Sequence, residues 1–201
     1  MRQRKTNDEL LLNSRLLFDE LEIDAAITKI AKKISQDFSS EFGLDRVSES
    51  KPDSIVALCV MNGAIPFFSQ LLLKLPITLE IDYIHASRYN NSLSGSQVQW
   101  LARPTLSLVD KTVIIVDDIL DEGITLREIG NYCIEAGARE VKTAILLEKQ
   151  HGRNLTGIVA DYLGLLVPDE YVFGFGMDCE GIGRNLPTIH ALNNNHAVNS
   201  K

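Results

Sequence analysis

The apolar residues near the start of the chain repeat with the spacing of an α-helix. They follow one another at intervals of three or four residues, which places them on one helical face, while lysines and acids fill the other face. Aspartate is a preferred N-cap residue, so we predict a packing helix that begins after Asp24. The apolar face consists of Ile23, Ile27, Ile30, Ile34 and Phe38.

Four later segments are predicted to be strands, because each is short and either wholly apolar or alternating. Helical patterns lie between them, and strands that alternate with helices indicate crossover units. The predicted fold class is therefore α/β, with a mostly parallel twisted sheet and helices on both faces. The strand segments are 54–60, 77–85, 112–118 and 140–149.

Two helices are predicted between these strands. Pro66 suits the first turn of a helix that continues to Leu73. A second helical pattern begins at Ile124 and stops at Gly137, a residue type that commonly ends helices. Its apolar side is predicted to contain Leu126, Ile129, Cys133 and Ile134.

The remaining segments have weaker periodicity. Residues 86–97 are rich in Ser, Asn and Gly and are predicted to form a long mobile loop. Between 152 and 192, short strand-like pieces at 168–176 and 188–192 are separated by Gly and Pro, which indicates a small extension over one edge of the sheet. The polar residues 193–201 are predicted to be a disordered tail.

Composition narrows the functional classes. The 201 residues are 45% hydrophobic and 23% charged, as in soluble globular proteins, and they suit one principal domain. A net charge of −7 disfavours nucleic acid as the main partner. Three widely spaced cysteines form no CxxC pair, so we expect small buried residues rather than disulfides or zinc ligands. Without a signal-peptide pattern or a membrane-length apolar run, the predicted location is cytoplasmic.

Acids are concentrated where the strand at 112–118 ends. Asp117, Asp118, Asp121 and Glu122 are followed at once by Gly123 and a helical pattern. Ligands of open α/β sheets bind at the carboxyl ends of strands, and helix-start amides favour anions. Adjacent aspartates are costly to keep ionised unless a divalent cation or a polyhydroxylated ligand shares them. We therefore predict a phosphate site beside a metal- or sugar-binding pair, rather than simple capping by acids.

The segment VDDILDEGIT (116–125) closely resembles the phosphoribosyl-pyrophosphate signature of the type I phosphoribosyltransferases. Further segments resemble the 6-oxopurine members, which are hypoxanthine-guanine salvage enzymes. The resemblance implies the type I phosphoribosyltransferase fold in one domain, 1–192, with a core at about 45–150 and a small hood built from the N-terminal part and about 152–192. The other segments are LCVMNGAIPFF (58–68), DYIHASRY (82–89), LLEK (146–149) and VPDEYVFGFGMD (167–178), followed by Arg184.

The resemblance implies Mg²⁺-dependent transfer of 5-phosphoribosyl from 5-phosphoribosyl-1-pyrophosphate to N9 of hypoxanthine or guanine, which gives IMP or GMP and pyrophosphate. Asp117 and Asp118 are expected to hold the ribose hydroxyls and Mg²⁺, and Asp178 a second Mg²⁺. The 5-phosphate is assigned to Glu122, Gly123, Ile124 and Thr125, and the pyrophosphate to Asn62, Gly63 and Arg184.

On the purine side, the resemblance makes Asp121 the general acid/base at N7 and Lys149 the donor to the 6-oxo group. Tyr171 is expected to stack on the base, unless it is an aromatic of the hood core, and the Val172 carbonyl to read the purine edge. Arg88 and Tyr89 belong to the expected lid, which closes over the donor.

Several positions depart from the family pattern. Asn62 stands where many relatives carry a basic residue, Arg88 where they carry serine, and Asp117 where they carry glutamate. Glu122 and Ile124 replace residues that are commonly small, polar or basic, so Glu122 is given only a backbone role. Two alternatives stay open: a xanthine-preferring transferase and a non-catalytic regulator that senses the donor. Family members are dimers or tetramers, which implies a homo-oligomer.

Overall fold

The computed structural model describes residues 6–39, 54–89, 97–151 and 156–193. Within these ranges the chain forms four helices and nine strands. The helices are α1 (Asn7–Leu12), α2 (Glu20–Ser39), α3 (Ile65–Leu73) and α4 (Ile124–Glu135). The strands are β1 (Ser14–Phe18), β2 (Ile55–Val60), β3 (Glu80–Tyr89), β4 (Gln97–Ala102), β5 (Thr112–Leu120), β6 (Glu140–Gln150), β7 (Tyr162–Pro168), β8 (Val172–Phe173) and β9 (Ile189–Leu192).

The main sheet has six strands in the order β4-β3-β2-β5-β6-β7. All neighbouring pairs from β3 to β7 are parallel, and only the edge strand β4 is antiparallel to its neighbour. Because parallel neighbours need crossovers, α3 and α4 each connect strands of this sheet. The predicted α/β class with a mostly parallel sheet is confirmed.

Apolar residues of β5 divide the core into two layers. Ile114 and Val116 point to the side covered by α2 and α3, and Val113 and Ile115 point to the side covered by α4. Successive side chains of a strand face opposite sides of its sheet, so a strand buried on both faces is apolar throughout. The prediction of helices on both faces is therefore confirmed as well.

Residues 162–168 differ from their predicted place. They had been assigned to the extension over the sheet, whereas β7 pairs in parallel with β6 and forms an edge of the main sheet. The described residues 156–161 before it form no helix, so the alternation of strand and helix that identified the other strands does not mark this one. Lys33 on α2 lies over the ring of the buried Tyr162 and anchors the strand to the helix.

A second, three-stranded antiparallel sheet has the order β1-β9-β8 and unites the two ends of the described chain. The pieces predicted at 168–176 and 188–192 contain β8 and β9, and β1 pairs with β9 across the whole sequence. We call this sheet and the connection from Gly174 to Thr188 the hood. Of the predicted tail, only Asn193 lies within the described residues.

The predicted loop at 86–97 is partly wrong. Strand β3 continues through Tyr89, and β4 begins at Gln97, so the two form an antiparallel ribbon. The ribbon is fixed at its base, where the ring of Trp100 packs on Tyr132 of α4 and the Arg103 guanidinium lies over both rings. The other residues of the predicted loop, 90–96, lie outside the described residues.

The start of α2 also differs from prediction. The helix begins one turn earlier than expected, and the Asp19 carboxylate accepts a hydrogen bond from the Glu22 N–H at 2.9 Å, while the Glu22 side chain accepts from the Asp19 N–H. This reciprocal arrangement is a capping box. Asp24 instead forms a salt bridge with Lys74 at 2.7 Å. On α4, Ile134 is 54% exposed, contrary to the predicted apolar face.

The three cysteines are free thiols and all are buried, as predicted. None of the helices in the described ranges combines the length and the apolar character that crossing a bilayer requires.

The capping box predicts unequal effects of two substitutions on α2. Asp19→Ala removes the acceptor for the Glu22 amide and should lower the free energy of unfolding by about 1 kcal/mol. Asp24→Ala removes only an exposed ion pair and should cost less than about 0.5 kcal/mol. Urea unfolding followed by circular dichroism measures both. Equal losses would place the start of the helix elsewhere.

Candidate active site

A cavity of about 420 Å³ opens at the carboxyl ends of β2, β3 and β5, with the hood above it. This is the edge of the sheet where ligands bind in open α/β folds. The cavity collects most of the predicted site residues, and His85 and Ser87, which had not been predicted, also line it. The predicted residues in its wall are Asn62, Gly63, Asp117, Asp118, Asp121, Gly123, Thr125, Asp178 and Arg184.

Asp117 and Asp118 lie within β5 rather than after it, and both are partly buried. One oxygen of each carboxyl group accepts a hydrogen bond from the next backbone amide, at 2.9 Å for Asp117 and 2.8 Å for Asp118. These short local bonds restrict the side chains. Successive strand residues point to opposite faces, so the backbone bonds are what hold two neighbouring carboxyl groups at one cavity.

Burial disfavours the ionisation of both carboxyl groups, and Asp118 further disfavours that of Asp117. Burial raises the pKa of Asp117 well above its ordinary value, and the neighbouring Asp118 charge raises it further. Burial also raises the pKa of Asp118, although the Asp117 side chain, the Ile119 amide and the positive charge of Arg184 partly offset that rise. A cation or hydroxyl donors bound in the cavity would therefore stabilise the ionised carboxylates of Asp117 and Asp118.

The loop after β2 packs directly against this pair. A Cβ atom on Gly63 would lie 1.8 Å from Asp118 Oδ2, and one on Gly176 of the hood would lie 1.9 Å from the Gly63 carbonyl oxygen. Only residues without a side chain fit at these two positions. The predicted pyrophosphate loop, the carboxylate strand and the hood thus meet through backbone contacts. The Met61–Asn62 peptide in this loop is cis.

The predicted phosphate site is the start of α4. Gly123 precedes the helix with φ of 78°, a left-handed conformation that favours glycine, and no side chain caps the helix there. Helix-start amides left without a capping side chain attract anions. Gly123 and Thr125 line the cavity. The Ile124 side chain is buried instead, and Glu122 is not part of the wall, so any role of these two residues is through their backbone.

Arg184 and Asp178 bond to each other across the hood. Arg184 Nη2 donates to Asp178 Oδ1, and Arg184 Nη1 donates to the Gly176 carbonyl at 2.7 Å. Asp178 Oδ2 also accepts from the Gly181 amide at 2.8 Å. The residues predicted for pyrophosphate and for a second metal ion are therefore partners in this structure, while both still line the cavity.

Asp121 has two side-chain partners at the end of β6. Lys149 Nζ lies 2.8 Å from Asp121 Oδ2, and His151 Nε2 lies 2.6 Å from Asp121 Oδ1. Burial raises the pKa of Asp121, but the hydrogen bonds and charges of Lys149 and His151 bring it below its ordinary value. Sequence reasoning missed His151. His151 follows Lys149 by two residues, and residues two apart in an extended segment point to the same side. This spacing could have identified His151.

Of the purine-side predictions, Asp121 lines the cavity, whereas Lys149, Tyr171 and Val172 fall outside its wall. The Tyr171 ring is 41% exposed, which excludes it from the hood core, and its hydroxyl donates to the Asp178 carbonyl at 3.3 Å. Val172 is buried in β8 and pairs with Ala191. Arg88 and Tyr89 lie in the backbone of β3, but their side chains fall outside the described residues, so their predicted lid contacts stay predictions.

The donor set suits Mg²⁺ that arrives with a phosphorylated ligand. The described residues contain no cluster of three or more His, Cys, Asp or Glu that could hold a metal ion alone. Mg²⁺ is commonly bound by one or two carboxylates together with substrate phosphates and water. Asp117 and Asp118 supply such carboxylates, and burial raises the pKa of both.

Comparisons with known proteins agree with this geometry. The family model described as a phosphoribosyl transferase domain matches residues 17–178. The hypoxanthine-guanine phosphoribosyltransferase of Bacillus subtilis is 33% identical over 165 residues, covering 82% of this chain and 88% of that protein. The bifunctional protein TilS/HprT of Listeria innocua is 35% identical over 153 residues, but the chain spans only 24% of its length.

Solved structures give the same picture. The chain superimposes on a hypoxanthine phosphoribosyltransferase from Staphylococcus aureus with a TM-score of 0.80 and 26% identity, covering 94% of this chain and 97% of that chain. The enzyme from Trypanosoma cruzi gives a TM-score of 0.79 with 30% identity, covering 89% and 91%.

The crowded carboxylates predict an unusual effect of pH on stability. Because the folded-state pKa of Asp117 is raised, the folded protein loses stability as pH rises from about 4, where the unfolded aspartate titrates. Asp117→Asn keeps the shape without the charge, so it should raise the melting temperature at pH 7.5 by about 3 °C, or about 1 kcal/mol. The gain should vanish below about pH 4.

Asp82 offers the opposite case as a control. Burial raises its pKa, but bonds from the amides of Leu106, Tyr83 and Thr105 lower it overall, so its contribution is present above about pH 4 and is lost as pH falls through its folded-state pKa. Asp82→Asn should therefore lower the melting temperature at pH 7.5. A lower melting temperature at pH 7.5 for both variants would contradict the inferred cost of ionising Asp117.

Proposed function

The chain belongs to the phosphoribosyltransferase family, and from this we propose that it is a hypoxanthine-guanine phosphoribosyltransferase. It transfers 5-phosphoribosyl from 5-phosphoribosyl-1-pyrophosphate to N9 of hypoxanthine or guanine, which gives IMP or GMP and pyrophosphate. The observation that carries the proposal is one cavity in which the carboxylates of Asp117 and Asp118, the start of α4 and Asp121 meet. A sugar diphosphate and a base need these three kinds of partner.

The donor is held by two different means. The amides at the start of α4 and the Thr125 hydroxyl take the 5-phosphate, because unpaired helix-start amides favour an anion without adding a charged side chain. The carboxylates of Asp117 and Asp118 accept hydrogen bonds from the ribose hydroxyls. These bonds offset the cost of keeping the carboxylates ionised in a partly buried site. Strand β5 thus binds the ribose, and the start of α4 binds the phosphate.

The pyrophosphate lies toward the loop after β2. The amides of Asn62 and Gly63 and the guanidinium of Arg184 are donors on that side of the cavity. Bound Mg²⁺ would neutralise part of the pyrophosphate charge as that group leaves. Asp117 and Asp118 would hold this ion, and Asp178 would hold a second one if it exchanged its contact with Arg184 for the metal. The exchange would free Arg184 to donate to the pyrophosphate.

Asp121 and Lys149 act on the purine. Loss of pyrophosphate leaves positive charge on the ribose ring, and carboxylates beside the ring stabilise it. As N9 attacks the anomeric carbon, Asp121 takes the proton from N7 as a general base. Lys149 donates to the 6-oxo group and so favours hypoxanthine and guanine over adenine. The exposed face of Tyr171 stacks on the base, and the Val172 carbonyl reads its edge.

Residues of the β3–β4 ribbon complete the proposal. Arg88 and Tyr89 belong to a lid that excludes water while the ribose is cationic, since water would otherwise hydrolyse the donor. Arg88 also supplies the positive charge that Asn62 lacks.

The assembly and location are part of the same proposal. Leu12, Leu21 and Leu73 are 80–88% exposed, and exposed apolar side chains of this size suit burial by further copies of the chain. We propose a homodimer or homotetramer in the cytoplasm, with no nucleic acid or membrane as partner. The free buried cysteines agree with a reducing compartment.

The catalytic role of Asp121 is tested by replacing its carboxylate. The wild-type protein should form nucleotide from the donor, Mg²⁺ and hypoxanthine or guanine, and EDTA should abolish the product. Asp121→Asn should lower kcat by about 10²–10⁴-fold with little change in donor affinity, because only proton transfer is lost. Product should be quantified by chromatography for hypoxanthine, guanine and xanthine.

These assays also separate the alternatives. A higher kcat/KM with xanthine would identify the xanthine-preferring enzyme. Donor binding without product from any base would identify the sensing regulator, for which a nucleic-acid shift assay at low salt is the further measurement.

The packing of Gly63 predicts a defect confined to the donor. Gly63→Ala forces the new methyl group against Asp118, so we expect donor affinity to fall by at least about tenfold, since a charged group loses its hydrogen-bond partners. Gly130→Ala is the matched control, because a Cβ atom at Gly130, within α4, has no neighbour within 4 Å. It should bind the donor normally. Calorimetry with donor and Mg²⁺ measures both, and equal affinity would contradict the proposed place of Asp118.

A further inference from the structure

Asp121 is held from both sides by partners that come from one strand end. Lys149 approaches Oδ2 and His151 approaches Oδ1, so each oxygen of the carboxylate has its own donor. The Lys149 side chain is 16% exposed and that of His151 is 5% exposed. His151 is therefore the more deeply buried partner, and it was not among the residues predicted from the sequence.

The chemistry of the contact determines which ring nitrogen carries a proton. An ionised carboxylate only accepts hydrogen bonds, so Nε2 of His151 must be a donor at a separation of 2.6 Å. This holds whether the ring is neutral or charged. Bonds of this kind to an ionised acceptor are stronger than neutral ones and fix the direction of the carboxylate.

Lys149 and His151 differ in what else the reaction asks of them. In the proposed function, Lys149 also donates to the 6-oxo group of the purine, so its ammonium group is divided between two acceptors. The proposed function assigns His151 no contact with the purine, and its imidazole, which is 5% exposed, directs Nε2 at Oδ1. We propose that His151 is a positioning residue that holds Asp121 in the ionised form and in the orientation in which it takes the purine N7 proton.

This inference rests on the proposed function, because it assigns His151 to the general base of that reaction. It does not make His151 a catalytic residue, since His151 acts only through Asp121. The N7 proton passes to a free lone pair of the Asp121 carboxylate, and the N–H bond of His151 stays intact throughout.

Other titratable or charged groups lie at or near the same cavity as Asp121 and must be held constant in a test of pH dependence. The substitutions at His151 leave all of these groups unchanged. Among the described residues, those around Asp121 are Lys149 at the end of β6, Asp117 and Asp118 on β5, His85 on β3, and Asp178 and Arg184 in the hood.

Two substitutions separate the hydrogen bond from the bulk of the side chain. The amide nitrogen of Gln reaches the position of histidine Nε2, whereas the shorter Asn does not, and both are polar and uncharged. His151→Gln should keep kcat within about threefold of wild type, and His151→Asn should lower kcat about tenfold, the usual effect of losing a hydrogen bond to a charged group. The KM for the donor should be unchanged in both, because the donor is held elsewhere.

The acidic limb of the kcat/KM profile gives a readout that a merely structural role would not move. Loss of a donor to the carboxylate favours its protonated form, so His151→Asn should shift this limb to higher pH by about one unit. His151→Gln should leave it in place. Equal behaviour of the two variants, with native melting temperatures, would overturn the proposal.

A second measurement does not depend on catalysis. The carboxyl ¹³C resonance of Asp121, assigned by its absence in Asp121→Asn, reports the titration directly. We expect it to titrate at higher pH in His151→Asn than in wild type or His151→Gln, and an unchanged titration would refute the inference. If the wild-type protein makes no nucleotide but His151→Asn still shifts the titration of Asp121, the result contradicts the proposed reaction and supports the contact between His151 and Asp121.

Discussion

The burial of two adjacent carboxyl groups, Asp117 and Asp118, is the constraint on which the site depends. Two neighbouring carboxyl groups at the end of a buried strand cost stability, and local amide bonds hold them in place despite that cost. Among the described residues, Arg184 of the hood is the positive side chain that offsets this cost, and it acts on Asp118. The site thus holds carboxyl groups whose ionised forms a ligand with hydroxyl groups and a metal ion would stabilise. Folding stability is thus reduced at the residues that would bind the ligand.

Much of the fold and the site could be predicted because the information is local. The segment from Val113 to Thr125 contains a buried strand, four acids, a glycine and a helix start in direct succession, and each follows from the chemistry of a few neighbouring residues. The alternation of apolar strands with helical patterns was likewise sufficient for a parallel sheet with two covered faces. Nine predicted site residues line one cavity because the topology brings the carboxyl ends of the strands together.

The features that were missed depend on partners distant in sequence. Strand β7 is recognisable only from its pairing with β6, and β1 only from its pairing with β9. Asp19 and Asp24 are both plausible caps, and the choice depends on how far the apolar face of α2 extends over the sheet. The contact of His151 with Asp121 joins a strand end to a loop thirty positions earlier. The two-residue spacing from Lys149 marks the direction of the His151 side chain, but only the fold brings Asp121 to it.

The anchor of the β3–β4 ribbon has a practical consequence. The chain contains one tryptophan, Trp100, and it lies where the ribbon meets α4, against the ring of Tyr132 and beneath the Arg103 guanidinium. Indole emission depends on the polarity and charge around the ring. The protein therefore has a built-in optical probe at a single known position, whose intrinsic fluorescence reports any displacement of the ribbon against the helix without an added label.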